Sequence, residues 1–249
     1  AYGLALLEKA ARRFTDDVWV IAPESEQSGA SHAISLSVPV RVRRVGDRRF
    51  AVKGTPVDCV LLAAHELMAD TPPTLILSGI NHGPNLAEDL IYSGTAAAAR
   101  EAALLGISAM ALSQSYVIGE KLNWDVAEAY IAEVLTPLLA CERLPNIFLN
   151  VNFPHVAPAD VKDVRATQLG MRLPGSFLPL KGVDGRFAPY YWIGIRYDQG
   201  APDATTDLAA ISDGAISITP VHVDATAHMA CQQISALYTG RALKGHIAP

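Results

Sequence analysis

Residues Thr74–Asn85 read TLILSGINHGPN, and this stretch decides the fold. Thr74 to Leu77 is a short apolar run without polar alternation, the pattern of a strand covered on both faces. From Ser78 onward two Gly, two Asn, a His and a Pro follow within eight residues, which is turn chemistry. A parallel strand running into such a loop places it at the carboxyl edge of an open sheet, where α/β folds bind ligands. The same residues serve an ordinary turn equally well, so the octet alone leaves both uses open.

On either side of this stretch, strand and helix patterns alternate at βαβ spacing. Tyr2 to Phe14 carries Leu4, Leu7, Ala11 and Phe14 at helical intervals, and Val18 to Ile21 reads as a strand ended by Ala22-Pro23. Ser35 to Lys53 alternates loosely and predicts a peripheral hairpin. Thr55-Pro56-Val57-Asp58 is a helix start, with Thr as N-cap, Pro at the first helical position and Asp in the first turn. Ala96 to Leu105 and Trp124 to Leu139 predict helices, while Ser108 to Leu112 and Asn146 to Asn152 predict strands. The alternation favours a doubly wound, mainly parallel sheet. After Pro154 it weakens. Tyr190 to Tyr197 and Ala215 to Val221 read there as strands of a hairpin or extension, and Thr226 to Tyr238 as a last helix. The expected organisation is an α/β core over 1–154 carrying the active-site loops, and a C-terminal extension or arm over 155–249 within the same domain.

The chain has 249 residues, half of them apolar and 18% charged, enough for one sizeable core. A formal charge of −5 provides no broad basic field, which argues against duplex nucleic acid as a partner. Cys59, Cys141 and Cys231 are scattered and odd in number, without a C-x-x-C pair; this fits a reducing compartment and neither a disulfide framework nor a thiolate zinc site. No apolar run approaches the ~18 residues of a spanning helix, so a cytoplasmic location without membrane partners is expected.

Two further loops carry chemistry. Tyr92-Ser93-Gly94-Thr95 precedes the apolar helix from Ala96, so free N–H groups and the positive dipole end could hold an anion; plain capping by Ser93 or Thr95 uses the same residues. Gln27-Ser28-Gly29-Ala30-Ser31 follows a strand. A Ser hydroxyl there is a usable Mg²⁺ or Mn²⁺ ligand only beside carboxylates, and on its own the segment reads as a surface loop. Dinucleotide, Walker A and G-x-S-x-G signatures are absent. Asp58 is explained as a first-turn residue, and Glu88 with Asp89 as a solvated loop edge.

Taken in order, APESEQSGAS, GTPVDCV, LSGINHGPNL, DLIYSGTAAAAREAALLGI, LNVNFP and ISITPVHVDATAH resemble the SurE family (survival protein E) over essentially the whole chain. The resemblance implies a Rossmann-like sheet with a C-terminal β-hairpin and helix arm used in oligomerisation, in a homodimer or homotetramer. It implies a metal-dependent nucleotidase acting on nucleoside 5′- and 3′-monophosphates, with one divalent ion, Mg²⁺ or Mn²⁺. The family's neutral metal ligands fall on Ser28 and Asn81, its phosphate loop on Ser93, Gly94 and Thr95, and a further active-site Asn on Asn85. Its paired Asp ligands belong to an Asn-Asp-Asp-Gly loop. Ala1-Tyr2-Gly3-Leu4 matches the helix just after that loop, so the pair lies outside residues 1–249 and the catalytic residues stay unassigned. A chain holding only the two neutral ligands is expected to be metal-poor and nearly inactive. Two rival readings remain at this point: a non-catalytic nucleotide-binding or scaffold protein, and a serine hydrolase using Ser31 or Ser28 with His32.

Overall fold

The computed structural model describes residues 1–142, 144–172, 177–195 and 202–239. Ten strands and seven α-helices follow in chain order among them. The central sheet holds β4 (Leu75–His82), β5 (Ser108–Gln114), β6 (Ile147–Phe153), β10 (Ile216–His222) and β7 (Val164–Ala166), in the order β4-β5-β6-β10-β7. The first three are mutually parallel, β10 runs antiparallel to β6, and β7 lies parallel to β10.

Period-two alternation on β5 shows why helices cover both faces. Ala109 and Ala111 pack against α4 (Gly94–Leu104) through Ala96, Ala99, Ala102 and Ala103. Met110 and Leu112 face the other way, toward Leu6 and Leu7 of α1 (Tyr2–Ala11) and Ile131, Val134 and Leu135 of α5 (Asp125–Ala140). Small side chains on one face let α4 approach closely, and larger ones fill the other. Such a strand is unsuited to water on either side, as its apolar run predicted.

A second sheet is built from β1 (Val20–Pro23), β3 (Arg49–Lys53) and β2 (Arg41–Gly46), with β1 parallel to β3. The expected hairpin over Ser35 to Lys53 is therefore present as β2 and β3, and its second strand also carries β1. The helix α2 (Pro56–Leu62) starts on a full capping box: Thr55 Oγ1 accepts from the Asp58 N–H, and Asp58 accepts from the Thr55 N–H.

Two elements differ from expectation. The strand β4 does not end at Leu77 but continues to His82 after a register shift between Ser78 and Asn81. Gly79, at φ +136°, sits inside that shift, and a Cβ there would collide with the Leu112 carbonyl oxygen. The turn-like composition thus marks a bulge in a strand rather than its end. Similarly, Ala215 to Val221 is not part of an extension. As β10 it completes the central sheet against β6, which a period-two apolar pattern cannot distinguish from an outlying strand. The arm proper is the hairpin β8 (Phe177–Val183) and β9 (Pro189–Ile195), followed in the chain by α6 (Asp207–Ser212) and, after β10, by α7 (His228–Tyr238). The end of the predicted strand to Tyr197 lies outside the described residues.

Candidate active site

The strands β1 and β4 belong to separate sheets, and residues of both line one open cleft. Ser28, Asn81, Asn85, Ser93, Gly94 and Thr95 all line it, so the structure brings together six residues drawn from three segments. The closest approach is at Gly94. A Cβ there would lie 3.0 Å from Pro56 Cγ, so the glycine lets the helix start sit tightly against the start of α2, with the Gln27 carbonyl oxygen at an ordinary 3.5 Å.

Ser93 is the N-cap of α4, its Oγ accepting from the Ala96 N–H at 3.0 Å. The capping reading is therefore correct for the hydroxyl. It does not exhaust the helix start, because Gly94 and Thr95 occupy the first two helical positions, whose N–H groups have no intrahelical acceptor. Those two donors and the dipole end of an eleven-residue helix face the cleft's chemistry.

On one flank, the loop that carries Ser28 is pinned at several points. Ser31 donates from N to the Tyr92 carbonyl at 3.0 Å and from Oγ to the Ile91 carbonyl at 2.6 Å. His32 Nε2 pairs with Glu101 at 2.7 Å, and Thr55 Oγ1 donates to the Ala33 carbonyl. Ser35 gives both its N–H and its hydroxyl to Asp58, at 3.0 and 2.6 Å. Burial alone would push the Asp58 carboxyl up, but these donors and the Thr55 N–H hold it below the usual carboxylate range. With Ser31 and His32 committed elsewhere, and Ser28 Oγ donating to Glu26 at 2.8 Å, neither serine hydrogen-bonds His32 among the described residues. A serine–histidine nucleophile pair is not assembled.

The opposite flank, from Asn85 to Ser93, is anchored by a buried polar network and an ion pair. Asn85 accepts at its carbonyl from Asn150 Nδ2 (2.8 Å) and Asn152 Nδ2 (3.0 Å), donates its N–H to Asn152 Oδ1, and donates Nδ2 to Ser113 Oγ at 2.7 Å. Arg172, its side chain 1% exposed, makes a bidentate pair with Asp89 at 2.9 and 2.8 Å and donates to the Leu86 carbonyl at 3.3 Å. Glu88 lies 3.4 Å from the same guanidinium. Glu88 and Asp89 are thus not a freely solvated edge but the partly buried acidic partners of a buried guanidinium. Their partner is 83 positions from Asp89, which no local pattern reveals. Asp207, fully buried, accepts from the N–H groups of Ala87, Gly170 and Leu208, and burial pushes its carboxyl up despite them.

A family model described as Survival protein SurE matches residues 1–175. The chain belongs to the SurE family. It is 47% identical to a 5′-nucleotidase SurE of Methylobacterium radiotolerans, the match covering 91% of this chain and 90% of that one. With a 5′-nucleotidase SurE of Chelativorans sp. it shares 46% identity, over 92% and 91% of the two chains. The crystal structure of the SurE protein from Aquifex aeolicus superposes with a TM-score of 0.81 at 30% identity, covering 95% of this chain and 94% of that one.

The family resemblance implies a metal, so the donor set here bears on the site. Asn81 Nδ2 donates to the Gly83 carbonyl at 2.9 Å, which spends the amide nitrogen and leaves the carbonyl oxygen as the available ligand. With Ser28 Oγ that makes two neutral oxygens. Hard divalent cations are held chiefly by carboxylates, and no group of three or more His, Cys, Asp or Glu suited to a metal occurs among the described residues. Ser28 and Asn81 alone therefore do not make a complete metal site. Of the features that the sequence missed, Asn150 and Asn152 left a signal: two amides spaced i, i+2 on an otherwise apolar strand. Arg172 and Asp207 left none.

Proposed function

We propose that the chain is a divalent-metal-dependent phosphomonoesterase that hydrolyses nucleoside 5′- and 3′-monophosphates to nucleoside and phosphate. The observation that carries this reading is the meeting of the Ser28 loop, Asn81 and the α4 N-terminus in one cleft at the strand ends. The Gly94 and Thr95 N–H groups take the phosphoryl oxygens and stabilise charge that builds on them during transfer. Ser93 holds the helix start in the conformation that presents these donors, and Asn85, tied to β5 and β6, sets the course of the loop leading to it. As cofactor we assign one Mg²⁺ or Mn²⁺ ion, with Ser28 Oγ and Asn81 Oδ1 as neutral ligands that carboxylates must complete.

The test measures phosphate release from AMP and GMP with Mg²⁺ or Mn²⁺, and again with EDTA. Residues 1–249 are compared with the same chain extended at Ala1 by a strand and an Asn-Asp-Asp-Gly loop. The extended form is expected to be active and EDTA-sensitive, with Asn81→Ala weakening metal binding, and residues 1–249 alone nearly inactive. Full metal-dependent turnover by residues 1–249 would sink the ligand assignment. Binding of AMP by the extended form without any turnover would favour a non-catalytic nucleotide-binding role.

The arm supports assembly as a homodimer or homotetramer, and a cytoplasmic location is proposed from the three scattered cysteines. Trp192 and Ile193 on β9 are 70% and 69% exposed, and Met229, Ile234, Leu237 and Tyr238 on α7 are exposed as well. Apolar surface on this scale is what a second copy covers. Light scattering at micromolar concentration is expected to give a dimer or larger, and a monomer would count against it.

A further inference from the structure

The phosphate loop accounts for one end of a nucleoside monophosphate, and the cleft contains a second feature suited to the other end. His82, the last residue of β4, directly follows Asn81 and is exposed. Its ring centroid lies 5.4 Å from Tyr116, just past the end of β5, and 6.5 Å from Trp124, the N-cap of α5. Tyr2, at the start of α1, continues the group at 5.6 Å from Trp124. These rings meet at angles of 39° to 65°, so no two are stacked face to face. Tyr2, His82 and Trp124 line the same cleft as Ser28, Asn81 and the Ser93–Thr95 loop.

The cluster is held in place from below. A Cβ at Gly3 would lie 2.8 Å from Trp124 Cη2, so the glycine seats the indole against α1. At Gly83, φ +113°, a Cβ would lie 3.2 Å from Tyr116 Cε1, which seats the phenol against the turn after β4. Tyr2 donates its hydroxyl to Glu128 at 3.2 Å. Trp19 also lines the cleft, but it is already stacked on Phe50 at 6.0 Å and 7°, with Arg48 5.8 Å from its centroid.

We propose that His82, with Tyr116 and Trp124 behind it, is the platform on which the nucleobase of the substrate stacks. A purine or pyrimidine presents a flat, weakly hydrated face, and stacking on an aromatic side chain tolerates any base while rejecting phosphate esters that have none. The platform thereby selects nucleotides over sugar phosphates. The inference rests on the nucleotidase reading of the cleft.

Equilibrium binding separates the two claims. Calorimetric titration of the chain with inorganic phosphate, ribose 5-phosphate and AMP is expected to show AMP tightest. His82→Ala is expected to weaken AMP about five- to tenfold and leave ribose 5-phosphate unchanged. Tyr116→Leu, which removes support rather than the exposed face, is expected to weaken AMP by a smaller factor. Trp124 is left intact because its packing on Gly3 makes loss of fold the expected result. Equal weakening of both ligands by His82→Ala, or no change in either, overturns the platform. So does AMP binding no tighter than ribose 5-phosphate in the unaltered chain. If the unaltered chain binds none of the three probes, the platform is overturned, while the nucleotidase reading is judged separately by phosphate release from the extended form.

Discussion

The loop bearing Ser28 and the loop from Asn85 to Ser93 meet where Ser31 bonds the Ile91 and Tyr92 carbonyls, but they are fastened by different physics. On the Ser28 side, Asp58 is the hub, and the groups bound to it are uncharged donors: the Ser35 hydroxyl and N–H and the Thr55 N–H, all within about forty residues of Ser28. On the other side, Arg172 reaches in from beyond β7 to neutralise Asp89, and Asp207 binds three backbone N–H groups. Neutral donors can lower a buried carboxyl's pKa and ask little of the rest of the fold. A buried guanidinium must find its counter-charge or the structure fails there. One wall of the cleft is thus a local motif, while the other depends on distant chain packing correctly.

That contrast is exposed most directly at Arg172. Arg172→Met leaves Asp89 buried without its partner, and urea denaturation is expected to show a loss of about 3–5 kcal/mol, the cost of breaking a buried pair from one side. Arg172→Lys should recover only part of it, since a point charge replaces the bidentate fork. A loss under 1 kcal/mol would mean that the two walls are anchored alike.

Asp58→Asn tests the other wall, with an expected cost of roughly 1–3 kcal/mol at neutral pH from the lost or mismatched hydrogen bonds. Because the Asp58 carboxyl sits below its ordinary value, its contribution is present above that value and disappears as pH falls through the lowered one. The deficit of the Asn variant should therefore shrink in acid. Asp207 is shifted up, so its linkage runs the opposite way: it favours the folded state at low pH and loses that contribution as pH rises through the raised value. Melting Asp58→Asn and Asp207→Asn across the carboxyl range should give opposite pH trends relative to the unaltered chain. Matching trends would erase the distinction.

A smaller effect, with little change in stability, is expected at the point where the walls meet. Thr95→Val, measured in the metal-supplied active form, should lower kcat/KM for AMP by roughly tenfold, about the worth of one hydrogen bond to a charged group. Unchanged kinetics would leave the Thr95 hydroxyl with no part in binding and its N–H as the only contact. The smallest expected quantity is the coupling between walls. The double variant Asp58→Asn, Arg172→Met should be additive in unfolding free energy to within about 0.5 kcal/mol, because the two networks share no partner. A larger coupling would make the cleft a single unit.

Much of this protein was legible in its residues. The apolar run before Ser78, the capping box at Thr55–Asp58 and the small-residue helix after Ser93 all report local geometry, because strand burial, caps and helix starts are decided within a few residues. The loops that line the cleft could be named for the same reason: each follows a strand or opens a helix. Sequence did not reveal the continuation of β4 through Gly79, the insertion of β10 beside β6, or the pairing of Arg172 with Asp89. Those outcomes depend on which segments become neighbours in space. Gly79 is required by the Leu112 carbonyl beside it, and Asp89 is paired because a guanidinium 83 positions later reaches it. Local periodicity determined what each segment could be; only tertiary packing decided which side chains were buried together, and therefore which charges had to be paired.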